Sequence, residues 1–150
     1  MKQILALVDF SDYSDAVVGQ AEALAKAFEG NVTLLHVAAP DPDFVGYAAG
    51  PTTVREDRAR EIRGEHRELQ TLAEGLRKRA ISARALLIQG PTVEQILAEG
   101  QRLEAEAIVI GSHGHGALHR ALLGSVSEGV VRGAHCPVLV VPAAAHASGA

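Results

Sequence analysis

The 150-residue chain reads as an α/β protein, an open doubly wound parallel sheet of five strands in the order 3-2-1-4-5 with helices on both faces. Apolar runs of strand length recur at 4–8, 32–37, 83–88, 107–110 and 138–141, and stretches of helical spacing separate them. Helical crossovers make such strands parallel, with right-handed connections. A Gly-rich turn follows the fourth run and a lone carboxylate, Asp9, follows the first. Open sheets of this kind hold ligands beyond the strand carboxyl ends, where the strand order reverses. Bringing the turn and Asp9 to one crevice requires strands one and four to be neighbours, which the order 3-2-1-4-5 provides and the order 2-1-3-4-5 does not.

Each element has its own signal. The first strand, Ile4 to Val8, ends at Asp9, and a helix begins after Ser11-Asp12 with Ala16, Ala23, Leu24, Ala27 and Phe28 on roughly one face. Gly30-Asn31 ends it. The second strand, Val32 to Val37, runs into a loop from Pro40 to Thr53 holding Pro42, Gly46, Gly50 and Pro51. That loop borders the crevice, and both a closing flap and a plain surface connection fit it. Thr53 and Glu56 have capping-box spacing for a second helix to about Arg79. Its charged first half, Val54 to His66, should face solvent, while Ile62, Leu69, Leu72 and Leu76 mark the packed stripe. After the third strand, Ala83 to Ile88, Pro91-Thr92 opens a third helix that ends near Gly100. The run Ala107 to Ile110 is β-branched and apolar, as in a strand buried on both faces, and Gly111 stops it. Ser125 and Glu128 again have capping-box spacing, so a helix should start near Val126. The last strand, Val138 to Val141, lies between Pro137 and Pro142, and the small, polar tail 143–150 should be disordered beyond a domain of residues 1–142.

Composition excludes several classes of function. Apolar residues make up 47% of the chain, enough for one substantial core but not two domains. A net charge of -4 gives no electrostatic reason to bind DNA, RNA or an acidic membrane, and the basic run Arg77-Lys78-Arg79 suits a solvated helix end. No stretch approaches the ~20 apolar residues of a membrane span. The single cysteine, Cys136, cannot form an intramolecular disulfide and suits a small buried hydrophobe. With no charged, apolar leader ahead of Ile4, a cytoplasmic protein is expected.

The segment Gly111-Ser112-His113-Gly114, followed after nine further residues by Gly124-Ser125, opens where a strand ends and closes where a helix begins. Its glycines would allow positive φ and close approach of a ligand, and the free amides of the helix start favour an anion. Neither the Walker lysine loop nor the Gly-x-Gly-x-x-Gly fingerprint is present, so neither motor-type hydrolysis nor hydride transfer is expected. Amides of the loop, the hydroxyls of Ser125 and Ser127 and the helix N-terminus would share the phosphate charge. His113, His115 and His119 lack the spacing of a metal site, and no Gly-x-Ser-x-Gly elbow supports a nucleophilic serine.

These motifs resemble the universal stress protein family. The Gly-x-x-Gly, nine residues, Gly-Ser spacing matches its nucleotide-binding signature, and Val8-Asp9-Phe10-Ser11 and Cys136 to Pro142 resemble its first and last strands. The resemblance implies a Rossmann-like fold of the adenine nucleotide alpha hydrolase type, with the same strand order. It also implies ATP as ligand, with Mg2+ carried by the nucleotide phosphates. Gly111, Gly114, Gly124 and Ser125 match the phosphate and ribose motif, Val126 and Ser127 the helix start, and Asp9 and Val37 the adenine contacts. Leu7, Val8, Ile110 and His113 sit at flanking contact positions, and Leu7 departs from the proline of some nucleotide-binding members. For Asp9 a second reading stands, a helix-entry residue capping the turn at Ser11-Asp12. The resemblance further implies a homodimer paired through Val138 to Val141. A nucleotide-dependent stress-response module follows, with no catalytic residue assigned. A slow ATPase or phosphotransferase and a nucleotide-free dimeric interaction protein are the alternatives.

Overall fold

A computed structural model describes residues 1–39, 52–113 and 123–142. The loop expected from Pro40 to Thr53 lies outside these residues except at its end, where α2 already begins at Thr52; a phosphate contact at Gly114, a disordered tail at 143–150 and the side chain of Thr53 also lie outside them. Five strands, β1 (Gln3–Leu7), β2 (Asn31–Ala38), β3 (Ala83–Gln89), β4 (Ala107–Gly111) and β5 (Val138–Val141), alternate with α1 (Ser14–Phe28), α2 (Thr52–Lys78), α3 (Thr92–Arg102) and α4 (Ser125–Gly133). All pairings are parallel and the order is β3-β2-β1-β4-β5, as the sequence predicts. The register sets Leu7 beside Leu35, and Ile4 beside both Val32 and Ala107, so the ends of β1, β2 and β4 open onto one crevice.

Strand alternation divides the core into two layers. Ile4, Ala6, Val32 and Leu34 pack with Val17, Val18, Ala21 and Ala25 of α1 and with Leu69, Ala73 and Leu76 of α2. On the other face Leu5, Leu35, Ile108 and Ile110 meet Ile96 of α3 and Val130 of α4. Within α2 the packing follows the predicted stripe, with Leu69 and Leu76 buried, Ile62 and Leu72 half-buried, and most of 54–66 exposed.

The buried face of α1 differs from the predicted one. Ser14, Val17, Val18, Ala21 and Ala25 are buried, whereas Ala23, Ala27 and Phe28 are exposed. Apolar residues occur around most of this helix, so its own periodicity does not select a face; the sheet does, by taking the stripe that carries both valines. The left-handed residue ending α1 is Glu29, at φ 53°, rather than Gly30. Gly30 is needed for space, since a Cβ there would lie 2.7 Å from the Met1 carbonyl oxygen and 3.2 Å from that of Lys2.

The capping box expected at Ser125 does not form. Gly124 occupies the N-cap position, Ser125 is already helical, and Glu128 pairs with Arg132 at 2.7 Å. One residue of displacement separates the two arrangements, and the tie of Ser127 to β4 decides between them: its hydroxyl donates to the Gly111 carbonyl at 2.6 Å. No helix among the described residues is long and apolar enough to cross a membrane.

Candidate functional site

A cavity of about 510 Å³ opens at the carboxyl ends of β1, β2 and β4. Leu7, Val8 and Asp9 enter it from β1, Val37 from β2, and Ile110 and Gly111 from β4. His113 and the α4 residues Ser125, Val126 and Ser127, with Gly124 before them, form its other side. Every described residue that the sequence marks as a candidate contact therefore lines one space, and Gly114 lies outside the described residues. The volume falls within the ~300–1,000 Å³ usual for small-molecule sites.

The two ends differ in chemistry. Towards β1 and β2 the wall is mostly apolar, with the Asp9 carboxylate and the His36 imidazole as its ionisable groups. Asp9 Oδ1 accepts from the Ser11 amide at 2.9 Å and the Ser14 hydroxyl at 3.3 Å, so the residue organises the entry to α1 while facing the cavity. The next residue, Phe10, sits at φ 61°, a left-handed conformation that costs a bulky side chain energy and turns the chain sharply from strand to helix. Towards α4 the wall is built of backbone donors. The first helical bond runs from the Glu128 amide to the Gly124 carbonyl at 2.9 Å, so the amides of Ser125, Val126 and Ser127 precede the helical ladder. The positive end of the α4 dipole lies there as well.

His113 borders this donor cluster. Its side chain is buried, Ser112 Oγ lies 3.1 Å from Nδ1, and Nε2 has no hydrogen-bond partner among the described residues. A Ser112 hydroxyl donating to Nδ1 leaves the proton on Nε2, and a buried N–H without an acceptor is costly. The ring edge bearing Cδ2 faces Gly124: a Cβ built there would lie 3.9 Å from it.

The glycines act differently from the sequence expectation. Among the described glycines only Gly90 has positive φ, at 146°. Gly124 adopts φ -63° and ψ 158°, accessible to any residue, and a Cβ would stand 3.3 Å from the Ser112 carbonyl. Gly111 is required by the packing of α1, because a Cβ there would come within 3.0 Å of Tyr13 Cβ. Both positions are limited by close approach of other chain segments rather than by dihedral angle. Ser127, expected on the phosphate, lines the cavity with its proton committed to Gly111.

Tyr13, Val17, His36, Thr92 and Ile96 also line the cavity and escape the sequence reading. His36 alone left a sequence signal, as the one ionisable residue in the run 31–38. The others belong to helices, or in the case of Tyr13 to a helix entry, whose orientation over the crevice depends on the sheet. Burial pushes the Cys136 thiol up, away from the thiolate a nucleophile needs. His115 and His119 lie outside the described residues.

Comparison with known proteins places these features in a family. The sequence model of the universal stress protein family matches residues 1–142. A universal stress protein encoded in the QAH/OAS sulfhydrylase 3' region of Thermus aquaticus is 34% identical, over 93% of this chain and 98% of its own. The solved structure of hypothetical protein MJ0577 superposes with a TM-score of 0.80 at 25% identity, covering 93% and 94% of the two chains. An Archaeoglobus fulgidus universal stress protein in complex with dAMP superposes with a TM-score of 0.62 at 22% identity, covering 94% and 97%. Another universal stress protein, in complex with cAMP, gives 0.68 at 21%, covering 95% and 98%. With its strand order, its cavity at the β1–β4 crevice and the family match across 1–142, the chain belongs to the universal stress protein family.

Proposed function

We propose that the chain binds ATP in this cavity and acts as a nucleotide-dependent regulatory module rather than as an enzyme. The supporting observation is the pairing of a largely apolar pocket with one concentrated polar cluster: the α4 amides at 125–127 beside the buried Nε2 of His113, which has no partner among the described residues. A phosphate chain would supply acceptors to these amides and to an Nε2–H of His113. Gly111, Gly124, Ser125, Val126, Ser127 and His113 would surround ribose and phosphates, with Gly114 from the adjoining loop. Leu7, Val8 and Ile110 would cover the base, and Asp9 with the Val37 backbone would read its polar edge. Mg2+ would be held mainly by phosphate oxygens and water. Two solved proteins that share the fold hold adenine nucleotides, cAMP and dAMP.

Slow turnover follows from the same layout. In the proposed binding mode Asp9 serves the base, and its Oδ1 is already engaged by Ser11 and Ser14, so it is badly suited to activate water at a terminal phosphate. Mass spectrometry of ligand released from the purified chain, with phosphate release under saturating Mg-ATP, tests both statements. The expected results are a bound adenine nucleotide and turnover far below the ~10 s⁻¹ typical of enzymes. A rate near that value, abolished in Asp9→Ala with binding retained, would establish the enzyme reading instead.

The proposed module is a homodimer paired through β5. This strand is the sheet edge, Leu139 is 39% exposed on it, and Val131 of neighbouring α4 is 45% exposed. An apolar edge of this kind requires cover, and antiparallel pairing with its own copy supplies it through an isologous two-fold interface. Leu139→Glu should shift the sedimentation profile from dimer to monomer at micromolar concentration. A wild-type chain that sediments as a monomer there would exclude the assembly.

A further inference from the structure

His36 is held at both ring nitrogens. Nδ1 lies 2.7 Å from the Val8 carbonyl oxygen and Nε2 lies 3.0 Å from Glu65 Oε2 on α2. Both partners accept, whereas a neutral imidazole has a single N–H to give. Making both hydrogen bonds therefore takes one proton more than a neutral ring and a carboxylate possess together. The contact joins the end of β1, β2 and α2, its side chains are largely buried, and the Phe10 ring lies 4.7 Å from the imidazole. Val8 and His36 are themselves part of the cavity wall.

Among the described residues, this pair is the histidine–carboxylate contact that joins β2 to α2. Earlier on α2, Arg58 donates to the Ala39 carbonyl at 2.6 Å and pairs with Glu61 at 3.0 Å, a contact whose cation keeps its charge. The β1–α1 connection carries two carboxylates, Asp9, engaged with Ser11 and Ser14, and the exposed Asp12. β3 offers only apolar neighbours, Leu86, Leu87 and Ile88, across from 35–37. Tyr13, just before α1, and Val17 within it line the same cavity.

We propose that His36 and Glu65 form a proton-operated latch that sets α2 against the β1–β2 end of the cavity. With the proton present, the imidazolium holds Val8 and Glu65 at once and the wall is complete. Without it, Nδ1–H stays on Val8 and the Nε2 lone pair faces a carboxylate, so the Glu65 tie is released and the first half of α2 is held less tightly, with Arg58 still on Ala39. The stabilising state is the protonated one, and it is lost as pH rises. His36 and Glu65 are positioning residues in this scheme. Coupling of the latch to ligand affinity rests on the nucleotide reading above; the latch itself does not.

The test uses the full chain and its Glu65→Gln variant from about pH 5 to 8, where histidine charge changes. Ring-nitrogen NMR follows the protons of His36, amide hydrogen exchange corrected for its intrinsic pH dependence follows α2, and calorimetry with Mg-ATP follows the cavity. In the wild type, loss of the second ring proton should coincide with faster exchange over 54–66 and with ATP binding weaker by about tenfold, the size of one lost charge-assisted hydrogen bond. The side-chain amide introduced by Glu65→Gln can donate an N–H to a neutral Nε2, so the variant should keep α2 protected and give a flat ATP profile. Exchange in α2 that ignores the His36 titration, or identical profiles for wild type and variant, would overturn the latch. Absence of ATP binding at every pH, with ring and exchange results as expected, would reject the nucleotide reading and leave the latch supported.

Discussion

Gly124→Val is expected to weaken Mg-ATP binding by about 100-fold or more, roughly 2.7 kcal/mol, while leaving the fold in place. The backbone at 124, φ -63° and ψ 158°, is open to a β-branched residue, so no dihedral strain arises. The added Cβ would stand 3.3 Å from the Ser112 carbonyl and 3.4 Å from His113 Cα, a fit requiring shifts of a few tenths of an ångström. The two methyl groups beyond it would lie among the α4 amides and the His113 ring, in the space assigned to phosphate. Calorimetry and urea unfolding of the same preparation separate the effects. Wild-type affinity in the variant would remove the phosphate assignment from α4.

Gly111→Val should behave in the opposite way, with a stability loss of about 2–3 kcal/mol as its primary effect. A Cβ at 111 would be 3.0 Å from Tyr13 Cβ, 3.2 Å from Tyr13 Cγ and 3.3 Å from the His113 carbonyl oxygen. None of these atoms is the free end of a flexible side chain. Relief requires moving the start of α1 or the end of β4, and β4 is buried at every residue. The urea midpoint should fall with the slope unchanged, and the residual folded fraction should bind ATP more weakly because Tyr13 and His113 both line the cavity. Unaltered stability with lost binding would instead make Gly111 a direct ligand contact. If both results hold, the two glycines of one motif have separable tasks, Gly124 admitting a ligand and Gly111 admitting Tyr13 at the entry to α1.

A five-stranded parallel sheet was legible in this chain because its evidence is local. Strands such as Ala107 to Ile110, buried on both faces, must be continuous apolar runs, and the helices between them must alternate polar and apolar faces. The strand order followed from requiring Asp9 and the Gly-rich turn to share a crevice, and all the described candidate residues do line one cavity. Tertiary structure decided what depends on partners distant in sequence. The Ser127 hydroxyl seeks the Gly111 carbonyl and so displaces the local capping pattern at Ser125, Tyr13 explains the glycine at 111, and the sheet selects one of several apolar faces of α1. His36 meets Glu65 only when strand register and helix docking bring them together. Propensity and periodicity act over a few neighbouring residues, whereas a hydrogen-bond partner or a steric limit is set by whichever segment the completed sheet places alongside.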